Sequence, residues 1–357
     1  MARPDPLLLD TARKLFRAVA DPQGRRAGDE QAARRAAWQA VEDSGLTRAW
    51  IAEAAGGAGA GIVDGFAILT AAGEVALDVP LAETLLAGWL LASAGMAVPA
   101  GKLAPIAGAG VELVDGQLRG RASRVAFARE ADRLVVCGVR GSAGFVALVD
   151  RAACRVEPHD NLAGEPRDAV VLDRVAPAEL AATPLFLEHW LHLMGAVARA
   201  CQMAGALRAI LARSVAYAGE RVAFDRPIGK FQAIQHALAR LAGEAAAALA
   251  ASGSAADALA SWAPETTPWA VAYRDIWLLE VASAKIRVGE AAAAGAAIAH
   301  QVHGAIGFST EHPLHRFTRR LWAWRDDYGS ETAWAAQLGA HVAAAGADAL
   351  WPMLAAR

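Results

Sequence analysis

Apolar residues recur at helical spacing from Leu7 to about Val98, with Leu8, Ala12, Leu15, Phe16 and Val19 on one face and Ala36, Trp38 and Val41 on another. One side of each segment is thus marked for a core, and the stretch reads as helical. Gly45 closes a helix, and the run Ala55-Gly56-Gly57-Ala58-Gly59-Ala60-Gly61 breaks the pattern before a helix resumes from Val63. Between Val98 and about Pro184 the period changes. Val111–Val114, Asp115-Gly116 and Gln117–Gly120 read as strand, type I′ turn and strand, and Leu134–Cys137, Gly144–Val149 and Ala169–Leu172 are further short β-rich runs. Thr183-Pro184 then offers a helix cap and a first-turn proline. Helical patterns fill 185–220, 231–251, 269–300 and 331–350. The expected fold class is α+β, mostly α, with an N-terminal helical domain over 1–100, a small middle β domain over 101–183 and a C-terminal four-helix bundle over 184–357.

Composition sharpens this picture. The 357 residues are 55% hydrophobic and 20% charged, which supplies a core and excludes a disordered chain. Alanine dominates the apolar fraction and loses no side-chain entropy in a helix, which favours a mostly helical protein. A formal charge of −2 gives no basis for phosphate-led nucleic-acid binding. No charge-free apolar run approaches a membrane span, and Met1–Pro6 leads into a mixed segment unlike a signal peptide, so a soluble, cytoplasmic protein is expected. Cys137, Cys154 and Cys201 are odd in number and lack CxxC spacing, which places them in the core rather than in disulfides or a zinc site.

Candidate chemistry concentrates in the C-terminal third. The segment Tyr217-Ala218-Gly219-Glu220-Arg221-Val222-Ala223-Phe224-Asp225-Arg226-Pro227-Ile228-Gly229-Lys230-Phe231-Gln232 joins two helices. The planar fork of Arg221 suits a pyrophosphate and Phe224 lies close by; the plainer alternative is an arginine favourably placed near a helix C-terminus. In the second segment, Gln301-Val302-His303-Gly304-Ala305-Ile306-Gly307-Phe308-Ser309-Thr310-Glu311-His312-Pro313, two glycines allow a backbone to approach a ligand, and Gln301 and His303 offer directed hydrogen bonds. His303, His312 and His315 match no helical metal-ligand spacing, so no metal is expected. The glycine run at 55–61 lacks a following Lys-Ser/Thr and reads as a loop rather than a phosphate-binding loop.

Together the two segments resemble the acyl-CoA dehydrogenase family, whose patterns are Tyr-Ala-x-x-Arg-x-x-Phe-Gly-x-Pro-Ile-x-x-Phe-Gln and Gln-x-x-Gly-Gly-x-Gly-[FY]-x-x-Glu-x-Pro. Leu46–Ile51 with its glycine run and the Leu81–Leu86 helix are similar to the family's first domain. The resemblance implies FAD-dependent α,β-dehydrogenation of an acyl-CoA thioester, in which a carboxylate removes the α proton and the flavin accepts the β hydride. Arg221, Phe224, Gln301, Gly304 and Gly307 would contact FAD, often across a subunit interface. An electron-transfer flavoprotein or similar acceptor and a homo- or hetero-oligomer, dimer or tetramer, are implied in the same way.

Several positions depart from the pattern. Asp225 stands at a glycine, Ala305 replaces the second glycine of the pair, and the Thr-Glu-Pro and Trp-x-[ST] segments that line the flavin have no clear counterpart in Leu103–Val136. Where many members carry the base in Tyr-Glu-Gly-Thr, this chain has Asp327-Tyr328-Gly329-Ser330. Tyr328 titrates far too high to serve at neutral pH, which leaves the flanking Asp327 and Glu331 as candidates. The other family position for the base aligns with Gly195, and Glu188 does not fit it. These losses resemble the heteromeric members that act on bulky substrates such as steroid side chains. Three readings follow: an active dehydrogenase with a displaced base, a catalytically deficient subunit of a heteromeric enzyme, and a fold-only protein that holds a CoA ester. Trp322, Trp324 and Trp334 are expected in packing or a subunit interface, and Arg316, Arg319, Arg320 and Arg325 on a solvated helix face.

Overall fold

The computed structural model describes residues 3–20, 30–108, 110–183, 187–261 and 271–355. The chain forms two compact units, one built on Pro6–Ile68 and Asp78–Gly195, the other on Leu69–Leu77 and the chain from Ala196 onward. The architecture is α+β and mostly helical.

In the first unit, α1 (Pro6–Ala20) buries Ala12, Phe16 and Ala20, and α2 (Glu30–Asp43) buries Trp38 and Val41 before Gly45 turns the chain at φ 77°. The glycine run folds back on the residues before it. The N–H groups of Ala58, Gly59 and Ala60 donate to the carbonyls of Arg48, Ile51 and Ala49, so these amides cannot cradle a phosphate. A Cβ on Gly57 would fall 2.1 Å from the Ile51 carbonyl oxygen, which is why that position has no side chain. The helix α4 (Leu81–Ser93) is buried continuously from Leu81 to Leu91, as a helix apolar on all sides must be. Its Thr84 hydroxyl accepts from Leu103 N–H at 3.2 Å and ties the helix to β1 (Leu103–Ala107).

The strands that follow are β2 (Val111–Val114), β3 (Gln117–Ala126), β4 (Arg133–Arg140), β5 (Ala143–Asp150), β6 (Arg155–Glu157), β7 (Arg167–Val175) and β8 (Glu179–Thr183). They form two four-stranded sheets, ordered β1-β4-β5-β8 and β2-β3-β7-β6, in which only β1 and β4 run parallel. Alternate residues such as Leu118, Leu134, Val136, Phe145 and Val170 form one core. Asp115 and Gly116, with φ of 50° and 76°, make the two-residue hairpin their sequence predicts. Thr183 pairs with Gly144 at the end of β8, where the sheet offers its backbone a ladder partner; Pro184 and Leu185, with the expected helix start, lie outside the described residues.

The second unit is helical: α5 (Leu187–Glu220), whose chain from Ala196 belongs here, α6 (Gln232–Ala260), α7 (Val271–His303), α8 (Leu314–Trp324), α9 (Glu331–Ala345) and α10 (Ala347–Ala355). Trp269, the expected start of α7, lies outside the described residues. The expected helix over 231–251 continues to Ala260, and the one over 331–350 is divided at Gly346, whose φ of 85° ends α9. The end of α3 (Ile62–Glu74) crosses α5 closely, at two reciprocal glycines. A Cβ on Gly73 would fall 2.0 Å from the Gln202 carbonyl oxygen, and one on Gly205 would fall 2.0 Å from that of Thr70. An Arg208–Glu74 ion pair fastens the same crossing.

Cys137, Cys154 and Cys201 are free and buried. Burial pushes the Cys154 thiol up to about 11 and that of Cys201 up to about 12, so neither is a nucleophile at neutral pH. Among the described residues, no helix is long and apolar enough to cross a membrane, and no group of three His, Cys, Asp or Glu side chains could hold a metal ion. The glycine crossing carries a test: Gly205→Ala overpacks a backbone contact and should lower stability by about 1–3 kcal/mol, read as a fall in thermal midpoint. An unchanged midpoint would show that the helices separate freely there.

Candidate functional site

The first segment leaves α5 through a short hairpin. Val222–Ala223 (β9) pairs antiparallel with Arg226–Pro227 (β10), and Phe224 and Asp225 form the turn with φ of 51° and 62°. Both turn residues lie in the left-handed region. Asp225 therefore occupies a position where glycine has no steric cost, and Asp tolerates that backbone better than most side chains do. Phe224 is 89% exposed at the tip, with its ring edge-on to Phe231 at 6.1 Å. Arg226 lies over the other aromatic surface of this loop, 4.2 Å from the Phe231 centroid. Arg221 follows the last turn of α5 and is exposed; its backbone N–H donates to Tyr217 O, and its carbonyl accepts from Ile228 N–H.

The second segment forms the last turn of α7 and a tight 3-10 turn over Gly304–Phe308. Gln301 is exposed on that last turn. Gly304 has φ 64° with nothing within 4 Å of a would-be Cβ, whereas Gly307 is buried, its would-be Cβ 3.0 Å from His303 Cβ and 3.1 Å from Leu314 Cδ2. One glycine permits a conformation and open space; the other permits close packing. The two segments meet through rings: Tyr217 stacks on His303 with centroids 4.6 Å apart, and His312 stands 4.7 Å from His303 and 6.4 Å from Tyr217. Four residues after Tyr217 comes Arg221, and directly after His303 comes Gly304, so this stack sets both motifs side by side.

The two candidate bases belong to a different set of contacts. Asp327 lies in the turn between α8 and α9, where its carboxylate accepts from Arg199 Nε at 2.9 Å; the side chains are 10% and 3% exposed. Arg199 also donates to Gln202 Oε1 at 2.6 Å and lies over the Trp324 ring. Buried Lys285 on α7 donates to the carbonyls of Trp324, Arg325 and Asp327, the last two at 3.0 and 2.9 Å. The Trp324 carbonyl also accepts from Asp327 N–H at 3.2 Å, and the ammonium adds a second donor there as the chain leaves α8. Past it, Tyr328 and Gly329 take φ of 55° and 97°, Trp334 Nε1 donates to Tyr328 O at 2.9 Å, and Ser330 caps α9. Glu331, in the first turn of α9, accepts from Arg325 Nε and packs against Gly289 on α7.

As a base, Asp327 would have to become neutral and strip the counter-charge from buried Arg199 and Lys285. Glu331 would have to leave Arg325. Each carboxylate is thus held by an arginine partner. The sequence contained a signal for this corner that motif matching passes over: Arg199 and Lys285 are single charges inside the apolar runs Ala196-Val197-Ala198 and Val281-Ala282-Ser283-Ala284. A lone charge on a buried helix face implies a buried partner. The tryptophans divide, with Trp324 and Trp334 in the core and Trp322 partly exposed at the surface. The arginines divide likewise: Arg325 pairs with Glu331, and Arg320 is buried and donates to the Arg316 carbonyl.

Residues 192–325 match the family model of the acyl-CoA dehydrogenase C-terminal domain. The chain is 29% identical to acyl-CoA dehydrogenase FadE27 of Mycobacterium tuberculosis, over 87% of this chain and 88% of that one. Its fold is similar to that of the ChsE4-ChsE5 complex from Mycobacterium tuberculosis, with a TM-score of 0.78 and 22% identity over 94% of this chain and 96% of the other. It is likewise similar to a variant of the Tcur3481-Tcur3483 steroid ACAD, with a TM-score of 0.81 and 24% identity over 95% and 97%.

The buried corner yields two measurements. Asp327→Asn should destabilise the chain by about 3–5 kcal/mol by leaving two buried cations short of a counter-charge, read by chemical denaturation; a loss near zero would mean that Arg199 has another adequate partner. Burial lowers Lys285 from 10.5 to about 8, against the opposing pull of Asp327 and Glu331. Between those values the unfolded chain holds a proton that the folded chain has lost. The Lys285 contribution to stability therefore rises with pH through that window and is lost as pH falls through the folded value. Lys285→Met should flatten this slope in denaturation curves recorded from pH 7.5 to 10.

Proposed function

We propose that this chain, whose residues 192–325 match the acyl-CoA dehydrogenase C-terminal domain, is a member of the acyl-CoA dehydrogenase family and serves FAD-dependent α,β-dehydrogenation of an acyl-CoA thioester as the catalytically deficient subunit of a heteromeric enzyme. One observation carries the proposal: Asp327, the carboxylate nearest the family's base position, is spent on Arg199 in a buried ion pair. The reaction removes an α proton, and neither of the two candidate carboxylates, Asp327 and Glu331, is unencumbered, since each is held by an arginine. The base then comes from a second chain. Two of the similar structures carry the names of two chains each, which supports the same reading, and one of them is a steroid enzyme, which favours a bulky acyl group.

The residues present fit the flavin. Arg221 and Gln301 are exposed, and among the described residues their side-chain donors are committed to no other group; Phe224 presents a bare ring, and Gly304 leaves open space beside the backbone. Arg221 would hold the pyrophosphate as a bidentate cation, Phe224 would lie against an aromatic or ribose surface, Gln301 and Gly304 would supply a hydrogen bond and close approach, and Gly307, packed against His303 and Leu314, would hold the turn that carries them. FAD, when bound, supplies the two-electron acceptor for oxidising the Cα–Cβ bond, and an electron-transfer flavoprotein or similar carrier would reoxidise it. Asp225 sets a negative charge in the same turn as Phe224, and Arg226 beside it offsets that charge.

The test combines an absorption spectrum from 350 to 500 nm with a dehydrogenation assay using an artificial electron acceptor. The chain alone should give no turnover with acyl-CoA thioesters, and turnover should appear when a second acyl-CoA dehydrogenase chain carrying an intact base is co-expressed. Turnover by the chain alone that disappears in Asp327→Asn would overturn the proposal in favour of a self-sufficient enzyme. Refusal of FAD both alone and in the assembly would leave only a fold that holds CoA esters.

A further inference from the structure

The rings that join the two segments form a cluster whose protonation state is fixed by hydrogen bonds. His303 Nδ1 lies 2.8 Å from the Ala299 carbonyl, which can only accept, so Nδ1 carries the proton and Nε2 is a bare acceptor. That Nε2 is buried without a partner. The Thr318 hydroxyl donates to the Leu314 carbonyl, so at 3.0 Å it accepts from His300 Nε2–H, and His300 Nδ1 is the second buried acceptor without a partner. His300 is enclosed by Phe308 at 4.3 Å and Trp322 at 6.2 Å. In His312 the free nitrogen is Nδ1, which accepts from the N–H of Leu314, the first residue of α8.

Each of the three rings thus has one nitrogen left to titrate, and none of the three can take a proton without loss. On His300 and His303 a new N–H would be buried against nothing that accepts it. On His312 it would displace the bond that starts α8. The charged groups acting on the cluster reinforce this: Arg213, which reaches it from α5 and lies over Phe317, the rings themselves, and His315 from α8, whose Nδ1–H donates to the His312 carbonyl. Tyr217 from α5 contributes a neutral face. Burial is the first cause that holds His300, His303 and His312 below their ordinary 6.5; basic neighbours come next for His300 and His312, while at His303 the bond to the Ala299 carbonyl opposes burial and Arg213 adds to it.

We propose that these histidines are an acid-sensitive latch, which holds the connection over 304–313 and the start of α8 in place only while the three imidazoles are neutral. Stability from the latch is complete above the ordinary imidazole range and is lost as pH falls from 6.5 through the lowered folded values. The latch spans Gly304 and Gly307, so mild acid would take apart the segment assigned above to the flavin. That consequence rests on the functional reading; the latch itself does not.

Hydrogen exchange on the full chain tests it without flavin or substrate. After correction for intrinsic exchange, amides over 299–318 should lose protection by on the order of tenfold between about pH 7.5 and pH 5, while those of β4 and β5 keep theirs. The double variant His300→Phe and His303→Phe keeps the ring stacking and should abolish most of the pH dependence. Where that variant fails to fold, nitrogen NMR of the wild-type imidazoles decides: His303 should be the Nδ1–H tautomer and His300 the Nε2–H tautomer, both neutral below the ordinary range. Unchanged protection at pH 5, an equal loss in the variant, or rings that titrate at their ordinary value would each overturn the latch.

Discussion

Two cations, Arg199 and Lys285, lie inside the helical unit, and groups around the α8–α9 turn answer both of them. Asp327 supplies the charge for Arg199, and three carbonyls at the end of α8 supply the hydrogen bonds for Lys285. The direction in which α8 ends, the left-handed backbone at Tyr328 and Gly329, and the cap at Ser330 all follow from that demand. Asp327 in that turn is thereby engaged as the counter-charge of Arg199. The same charge cannot both neutralise a buried arginine and pick up protons from a substrate.

Elsewhere in this unit the chemistry is left open. Phe224 stands out on a two-residue turn, Gln301 and Arg221 project their donors, and Gly304 keeps space free beside the chain. The stack of Tyr217 on His303 is what makes these separate segments one site, since it sets the end of α5 against the end of α7. These groups stand on a packed aromatic base, and Asp327 is held in an ion pair. The proposed subunit that binds and completes, rather than one that abstracts a proton, draws on both observations.

Much of this was legible from residue order. Helical periodicity marked the long helices, Asp115-Gly116 identified a hairpin whose two turn residues are indeed left-handed, and the glycine run over 55–61 read as a loop because no phosphate-binding residues follow it. Local conformational preference decides such features, so they survive in the one-dimensional pattern. Short strands such as Leu103–Ala107 and Arg155–Glu157 were not legible, because their neighbours in the sheets come from distant sequence. That Thr183 also ends a strand was hidden for the same reason: its partner Gly144 lies far back in the sequence.

The motifs over 217–232 and 301–313, with their arginine, aromatic and glycines, were fixed by the sequence alone, because spacing and residue type suffice to define a family's signature. The sequence also offered Asp327 and Glu331 as candidates for the base. Only tertiary structure decided what those carboxylates are for, since Arg199 is 128 residues from Asp327 and Lys285 is 40 residues from Arg325. Charge pairing across a packed core is a property of three-dimensional neighbours, and a linear pattern states which charges exist without stating which of them must neutralise one another.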